Sequence, residues 1–581
     1  MRSRLVRLGL LVVFLGALAF TAWSGYQAWQ VNEDLGAAVD DASALERALE
    51  AGDQPAASDA LDRLDAHASA AHDRTEGLTF GILAKLPVVG DDVTGVRVAT
   101  DVATDLTDEG LRPLVDEAAD LESLLPRKGR VPVDRLGALQ SPVGRAHTAF
   151  IEASTRLDGE DSSSYVGPLR SKYRDLARRV RNAADALGIA DKALEVMPGM
   201  LGQSGPRNFL LVFQNNAEVR STGGLPGAVS VLNTDDGRLA ITQQVAASSE
   251  LGFVEQPVLP LSEAEEKIYG PQLGSFFLDA NFTPDFPRTA DLMKARWEQD
   301  FAPVDGVVAV DPVALSYILE ATGPVMVGDL EINAGNAVDE LLHKVYVRFE
   351  NPPDQDAYFK LATRAIFDKV TSGVGDPRTV LRALARAGAE HRLLVHSFDE
   401  QEQGRLAGTH VAGELVKEST EQPQVGVYLN DTTASKMSYF LRTNVRVDST
   451  SCSGDVQVLD GMARLRSVAP PDAGTTLPEY VTGGGATGLD PGSQLVAVRL
   501  YAPVEGELER VTLNGKVLDD VEIVVHDGRP VATTFVFLGP QETVDLGWRM
   551  RAGAGQTGNV SVDVTPTIEP GDSSSTTRSS C

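Results

Sequence analysis

The stretch from Leu8 to Trp29, LGLLVVFLGALAFTAWSGYQAW, contains no charged residue and follows Arg2, Arg4 and Arg7. As a helix rising about 1.5 Å per residue it is long enough to cross a hydrocarbon core of about 30 Å. Such a segment ties everything after it to a bilayer. A cleaved leader is the alternative, but it calls for a shorter apolar core and a small-x-small site. Trp23, Tyr26 and Trp29 instead suit an interfacial aromatic belt, and the reading is an uncleaved transmembrane anchor over residues 8–29. Arginines precede the span and an acidic chain follows it, so the bias of positive charge toward the cytoplasm leaves residues 1–7 inside and the body extracytoplasmic. The expected localisation is the cell membrane, with a single pass.

With 581 residues the chain exceeds what one hydrophobic core supports, so several structural units are expected. The formal net charge of -30 argues against nucleic acid as a partner and against broad contact with an anionic surface. Residues 30–199 repeat apolar positions at helical spacing, as in Leu35, Val39, Ala42, Leu45 and Leu49, which predicts an all-α helical stalk or bundle. Breaks at AGDQPAA, KLPVVGDD, LPRKGRVP and DGEDSSS divide it. One segment, RSKYRDLARRVRN, is basic through Arg170, Lys172, Arg174, Arg178, Arg179 and Arg181. A solvated face paired with neighbouring acids is the favoured reading of it over a polyanion contact.

From residue 200 to 442 strands alternate with helices, which predicts an α/β head whose central sheet is covered by helices. The segment VDGVVAVDPVALSYILEATGPV reads as a buried strand at 304–310, an N-cap at Asp311, proline at the first helical position and a stop at TGP. Further helices are expected in DAYFKLATRAIFDKVTSG and RTVLRALARAGAEH. Residues 443–567 change to short alternating runs between turn residues, a C-terminal β-sandwich, and 568–581 read as a flexible tail.

The two cysteines, Cys452 and Cys581, are expected to pair outside the cytoplasm. Free thiols and a bridge to another chain stay open. No H-E-x-x-H, C-x-x-C, G-x-S-x-G or Walker loop occurs, and no cofactor or metal is expected. GGGATG at 483–488 fits G-x-G-x-x-G, but no strand precedes it and no helix follows, so it reads as a loop.

The stretch NFLLVFQNNAEVRSTGGLPGAVSV, residues 208–231, predicts strands at Phe209–Phe213 and Ala228–Leu232 around a polar loop. Arg220 beside Gly223 and Gly224 forms a candidate cradle for a phosphate or carboxylate, because glycine lets backbone amides approach and arginine binds such groups bidentately. Arg220 pairing with Glu218 or a buried carboxylate is the equally weighted alternative.

This stretch, with NFTPDFPRTADLM, VDGVVAVDPVALSYILEATGPV and VGVYLNDTTASKMSYFLRTNV, resembles the bacterial family catalogued as domain of unknown function 4012, membrane-anchored surface proteins. More distantly, the head is similar to the LytR-CpsA-Psr family, enzymes that transfer phosphate-linked glycopolymers from polyprenyl pyrophosphate carriers to peptidoglycan. That resemblance implies ligand-binding roles for Arg220, Arg348, Asp356, Lys360 and Arg364. The chain departs from that family where Ser221, Thr222 and Gly223 follow the loop arginine in place of an aspartate, and where ITQQVAASSE follows the second strand. Phosphoryl transfer needs cations against the charge that builds on its oxygens, so these departures favour binding without turnover.

The expected function is therefore a membrane-anchored cell-envelope protein whose head binds an anionic glycan or a polyprenyl-phosphate ligand without catalysis. An active glycopolymer phosphotransferase and a surface scaffold or adhesion protein are the alternatives.

Overall fold

The computed structural model describes residues 2–581 apart from 88, 119–125, 374, 486–487 and 572, with side chains from Trp23 onward except Glu50. Side chains of residues 8–22 in the expected span thus lie outside the described residues. Among the described residues no helix is long and apolar enough to cross a membrane.

The chain divides into two compact units, residues 1–124 with 133–198, and residues 125–132 with 199–581. The first is helical, with long helices at Arg2–Ala51, Gln54–Glu76, Gly90–Asp105 and Val133–Asp158 and the greater part of Gly167–Met200. The break in AGDQPAA works as its residues predict. Asp53 caps the second helix by accepting from the Ala56 amide at 3.0 Å. Leu61, Leu64 and Ala68 bury one face of that helix, while Phe150, Leu157, Tyr173 and Val180 join two others in a common core. The basic helix is a paired surface: Arg178 meets Asp175 and Arg181 meets Asp158.

The second unit begins with strands β1 (Arg207–Arg220), β2 (Gly223–Asp235), β3 (Arg238–Ala246) and β4 (Gly306–Val310), then a small hairpin of β5 (Val325–Val327) and β6 (Leu330–Ile332), then β7 (Leu393–Ser397). The main sheet has the order β3-β2-β1-β4-β7, with β1 parallel to β4 and the other pairs antiparallel. Alternation along β1 explains its two covered faces. Leu210 and Val212 pack with Phe286, Ala290, Met293 and Trp297, whereas Leu211 and Phe213 pack toward Leu315, Leu319 and Ile366. Asp311 accepts from the Ala314 amide at 2.7 Å and opens the helix Pro312–Thr322, which stops at Gly323 with φ 82°. The two further expected helices span Pro352–Thr371 and Pro377–Ala389.

The strand-rich C-terminal region comprises β8 (Gln424–Asp431), β9 (Leu441–Ser453), β10 (Val456–Ser467), β11 (Gln494–Tyr501), β12 (Glu507–Leu513), β13 (Lys516–Val517), β14 (Ile523–His526), β15 (Arg529–Leu538), β16 (Thr543–Arg551), β17 (Val560–Val564) and β18 (Ser574–Thr577). They form sheets ordered β13-β12-β16-β10-β9 and β14-β15-β11-β8-β17-β18. Leu429, Val498 and Val536 of one sheet share a core with Leu465, Leu546 and Trp548 of the other.

Three details depart from the expected boundaries. β8, placed with the head by sequence, is an inner strand of the six-stranded sheet, between β11 and β17. Tyr428, Tyr501 and Val531 from this region belong to the core that holds Trp297 and Phe286, so head and strand-rich region share buried surface. The tail expected to be flexible is fixed. β18 pairs with β17, Thr577 donates to the Val447 carbonyl at 2.7 Å, and Cys581 is joined to Cys452 across 129 positions. Hydroxyl-rich residues that look disordered by composition here supply donors to a sheet edge.

Candidate functional site

The segment expected to be a loop after Phe213 is instead the far end of a long hairpin. β1 and β2 stay paired to Arg220↔Gly223, with register shifts at Phe213/Gln214 and Asn215/Val219. Two glycines make this possible. Gly223 has φ 135°, and a Cβ on Gly224 would lie 2.2 Å from the Asn215 carbonyl carbon. Several buried polar groups pair with one another: Gln214 Oε1 accepts from Thr222 Oγ1 at 2.9 Å and the Gly224 amide at 3.2 Å, while Asn281 Nδ2 donates to the Gly224 carbonyl at 2.8 Å; Asn216 Oδ1 and Asn281 Oδ1 have no partner among the described residues. Gly223 and Gly224 shape the hairpin tip.

This hairpin contributes Glu218 and Arg220 to a cavity of about 440 Å³ beside the main sheet. Phe213, Leu315, Leu341, Phe359, Ala362 and Ile366 give it a mainly apolar lining. Its ionisable lining residues are Glu218, Arg220, Asp279, Asp356, Asp431 and Lys436.

Arg220 is only 5% exposed. Its Nη1 donates to the carbonyls of Val219 at 3.1 Å and Asp431 at 3.2 Å, its Nη2 meets Asp279 at 3.1 Å, and its guanidinium lies 4.9 Å from the Phe282 ring centre. Burial raises the Asp279 carboxyl even though Arg220 pulls the other way. Asp431 is raised by burial against the hydrogen bonds from Thr433 and Ser438. Lys436 is ion-paired with Glu218 and lies 5.2 and 4.8 Å from the ring centres of Tyr346 and Tyr480. Burial drives its ammonium below the ordinary lysine value, and the Glu218 carboxylate in contact with it acts against that fall.

The residues implied by resemblance divide. Arg220 and Asp356 line the cavity; burial raises Asp356, with Lys360 opposing. Arg348, Lys360 and Arg364 do not line it. Arg348 is exposed at the end of a short helix and meets Glu340 at 2.7 Å, Arg364 is exposed, and the Lys360 carbonyl accepts from Gln244 at 3.3 Å. The expected four cations therefore do not converge, because the helix Pro352–Thr371 turns Phe359, Ala362, Thr363 and Ile366 inward and leaves Arg364 outside. Lys436 was missed. The available signal was its isolation: from Thr432 to Leu441 it is the one charged residue, between a strand and an apolar run.

A second hollow of about 760 Å³ includes Asp285, His391, Lys417 and Asp563. Its charges are largely engaged: Lys417 meets Asp285 at 2.8 Å and Asp527 at 3.2 Å, and His391 lies 3.0 Å from His410. The apolar cavity, with two buried ion pairs against hydrocarbon, is the candidate site. Among the described residues no group of three or more His, Cys, Asp or Glu side chains could hold a metal ion.

Residues 204–346 match the model of the family described as protein of unknown function (DUF4012). The matched region contains Glu218, Arg220, Asp279 and Tyr346 of the cavity and stops short of Asp356, Asp431, Lys436 and Tyr480. No curated protein and no solved structure matches the chain.

Proposed function

We propose that this chain is a membrane-anchored, extracytoplasmic cell-envelope protein whose head binds an amphiphilic envelope molecule, glycan-bearing or lipid-linked, without transforming it. The observation that carries the reading is the 440 Å³ apolar cavity with buried ionisable groups in its lining. Such a lining suits a ligand with a hydrocarbon part and a polar part. The Cys452–Cys581 bridge fits an oxidising compartment, and the uncharged segment 8–29 after three arginines supplies the anchor. The resemblance of the head's sequence to the LytR-CpsA-Psr family, whose carriers are lipid-linked, supports a ligand with a hydrocarbon part. Binding without turnover rests on the departures at Ser221, Thr222 and Gly223.

The test uses the full-length chain held in an amphipol and the uncharged fluorescent probe N-phenyl-1-naphthylamine. The wild-type chain is expected to take up about one equivalent, and Ala362→Trp, which fills the cavity, is expected to lose that saturable signal while melting as a folded protein. Equal probe binding by the two chains would refute the reading.

A further inference from the structure

We infer that the polar part of the cavity recognises an uncharged, hydroxyl-rich head, as on a glycolipid, and not a phosphate or an ammonium group. This rests on the amphiphile reading above and concerns only the head.

The argument is one of charge compensation. Lys436 is paired with Glu218, and Arg220 is paired with Asp279. Asp431 accepts from the Thr433 amide at 2.8 Å, from Ser438 Oγ at 3.0 Å and from the Thr433 hydroxyl. Asp356 shares a helix with Lys360, whose charge opposes the rise that burial causes. Each buried cation of the lining is thus ion-paired, although Arg220 Nε has no partner among the described residues, and the carboxylates outnumber the cations. An entering phosphate would add negative charge among carboxylates that already outnumber the cations, and an ammonium group would have to approach those carboxylates beside Arg220 and Lys436, which repel it. Hydroxyl groups bring no charge of either sign, and they both donate to carboxylates and accept from ammonium N–H groups.

Hydrogen-bonding capacity remains for such a head. A lysine ammonium has three donors, and Glu218 and the two tyrosine faces are the contacts of Lys436 Nζ among the described residues. Asp356 is half-buried and raised by burial, and it lines the same cavity as Tyr346 and Tyr480. The rings of Tyr346 and Tyr480 stand 5.6 Å apart, both centred within 5.2 Å of Lys436 Nζ, and Tyr480 is 39% exposed. An aromatic face in a cavity also lined by a carboxylate and an ammonium group offers apolar contact to a sugar ring's C–H face and partners for its hydroxyls.

Octyl glucoside, octyl phosphate and octyltrimethylammonium share one chain and differ in the head. Each is titrated, below its micelle concentration, against N-phenyl-1-naphthylamine bound to the full-length chain in amphipol, with Ala362→Trp as the background. The glucoside is expected to displace the probe at a concentration about tenfold lower than either charged compound. Tyr480→Ala is expected to weaken the glucoside about tenfold relative to the probe's own affinity for the same variant. A charged compound that displaces the probe as well as the glucoside does, or a Tyr480→Ala chain that keeps the glucoside preference, overturns the inference while the amphiphile reading stands. A wild-type chain that binds no probe overturns both.

Discussion

Two buried arginine centres in the second unit use the same chemistry to different ends. Around Arg392, every nitrogen is engaged: Nε meets Glu390 at 2.8 Å, Nη1 meets Asp311 and the Thr567 carbonyl at 2.8 Å each, and Nη2 donates to the Glu569 carbonyl at 2.6 Å. Glu390 also accepts from Tyr317 and Arg386. Arg392 lines neither of the two hollows described above, and its contacts clamp the C-terminal segment against the start of the helix Pro312–Thr322. At the cavity, Arg220 and Lys436 each hold one carboxylate beside open space. A saturated network serves the fold, because each donor removed strands a buried acceptor. An under-saturated pair beside a cavity leaves capacity for a ligand.

The comparison breaks most visibly in stability. Arg392→Met leaves Asp311 and Glu390 buried without their cation and should cost about 3–5 kcal/mol in denaturant unfolding. A loss under about 1 kcal/mol would show that the centre is not a clamp. Cys452→Ser frees the same C-terminal segment at its other end and should cost about 2–4 kcal/mol, with thiol labelling of the unreduced, denatured wild type giving no free thiol. Detectable free thiol in that labelling would count against the bridge.

At the cavity the balance should reverse. Lys436→Met leaves Glu218 next to a space that water can enter, so the expected stability cost is smaller, about 1–2 kcal/mol, while displacement of the probe by octyl glucoside weakens. A loss as large as that of Arg392→Met, with head preference unchanged, would make Lys436 another structural clamp.

The smallest effect is in pH dependence, and its sign separates the two centres. Burial by itself would raise Glu390, but hydrogen bonds from Tyr317, Arg386 and Arg392 overcome it and leave the carboxyl lowered. Its contribution is present above the unfolded pKa and is lost as pH falls through the folded one. Asp431 is raised by burial, so its contribution is full below the unfolded pKa and is lost as pH rises through the folded one. Unfolding measured across the acidic range should show Asp431→Asn removing part of the loss on going toward neutral pH. An unchanged pH profile in that variant would contradict the assignment.

Much of the local structure was legible from residues alone. Asp311 and Pro312 start their helix and Gly323 ends it, because capping and proline geometry act over a few residues. The helical periodicity of the N-terminal region and the pairing of two cysteines were legible for similar reasons, one being local and the other having a single intramolecular solution. The hairpin tip was not. QNNAEVRSTGG reads as a polar loop, yet it is extended and buried because Asn281, distant in sequence, donates to both Gln214 and Thr222. The tail read as flexible because its hydroxyls have no partners until Val447 and Thr557 come near.

The sequence by itself determined the charge balance, the apolar segment at 8–29 and the ends of the helix Pro312–Thr322. Only the tertiary structure decided which charges meet. It placed Lys436 against Glu218, from chain positions far apart, and sent Arg348 and Arg364 to the surface. Periodicity and capping depend on neighbours along the chain, whereas the partner of a buried charge depends on which distant elements the hydrophobic core brings together.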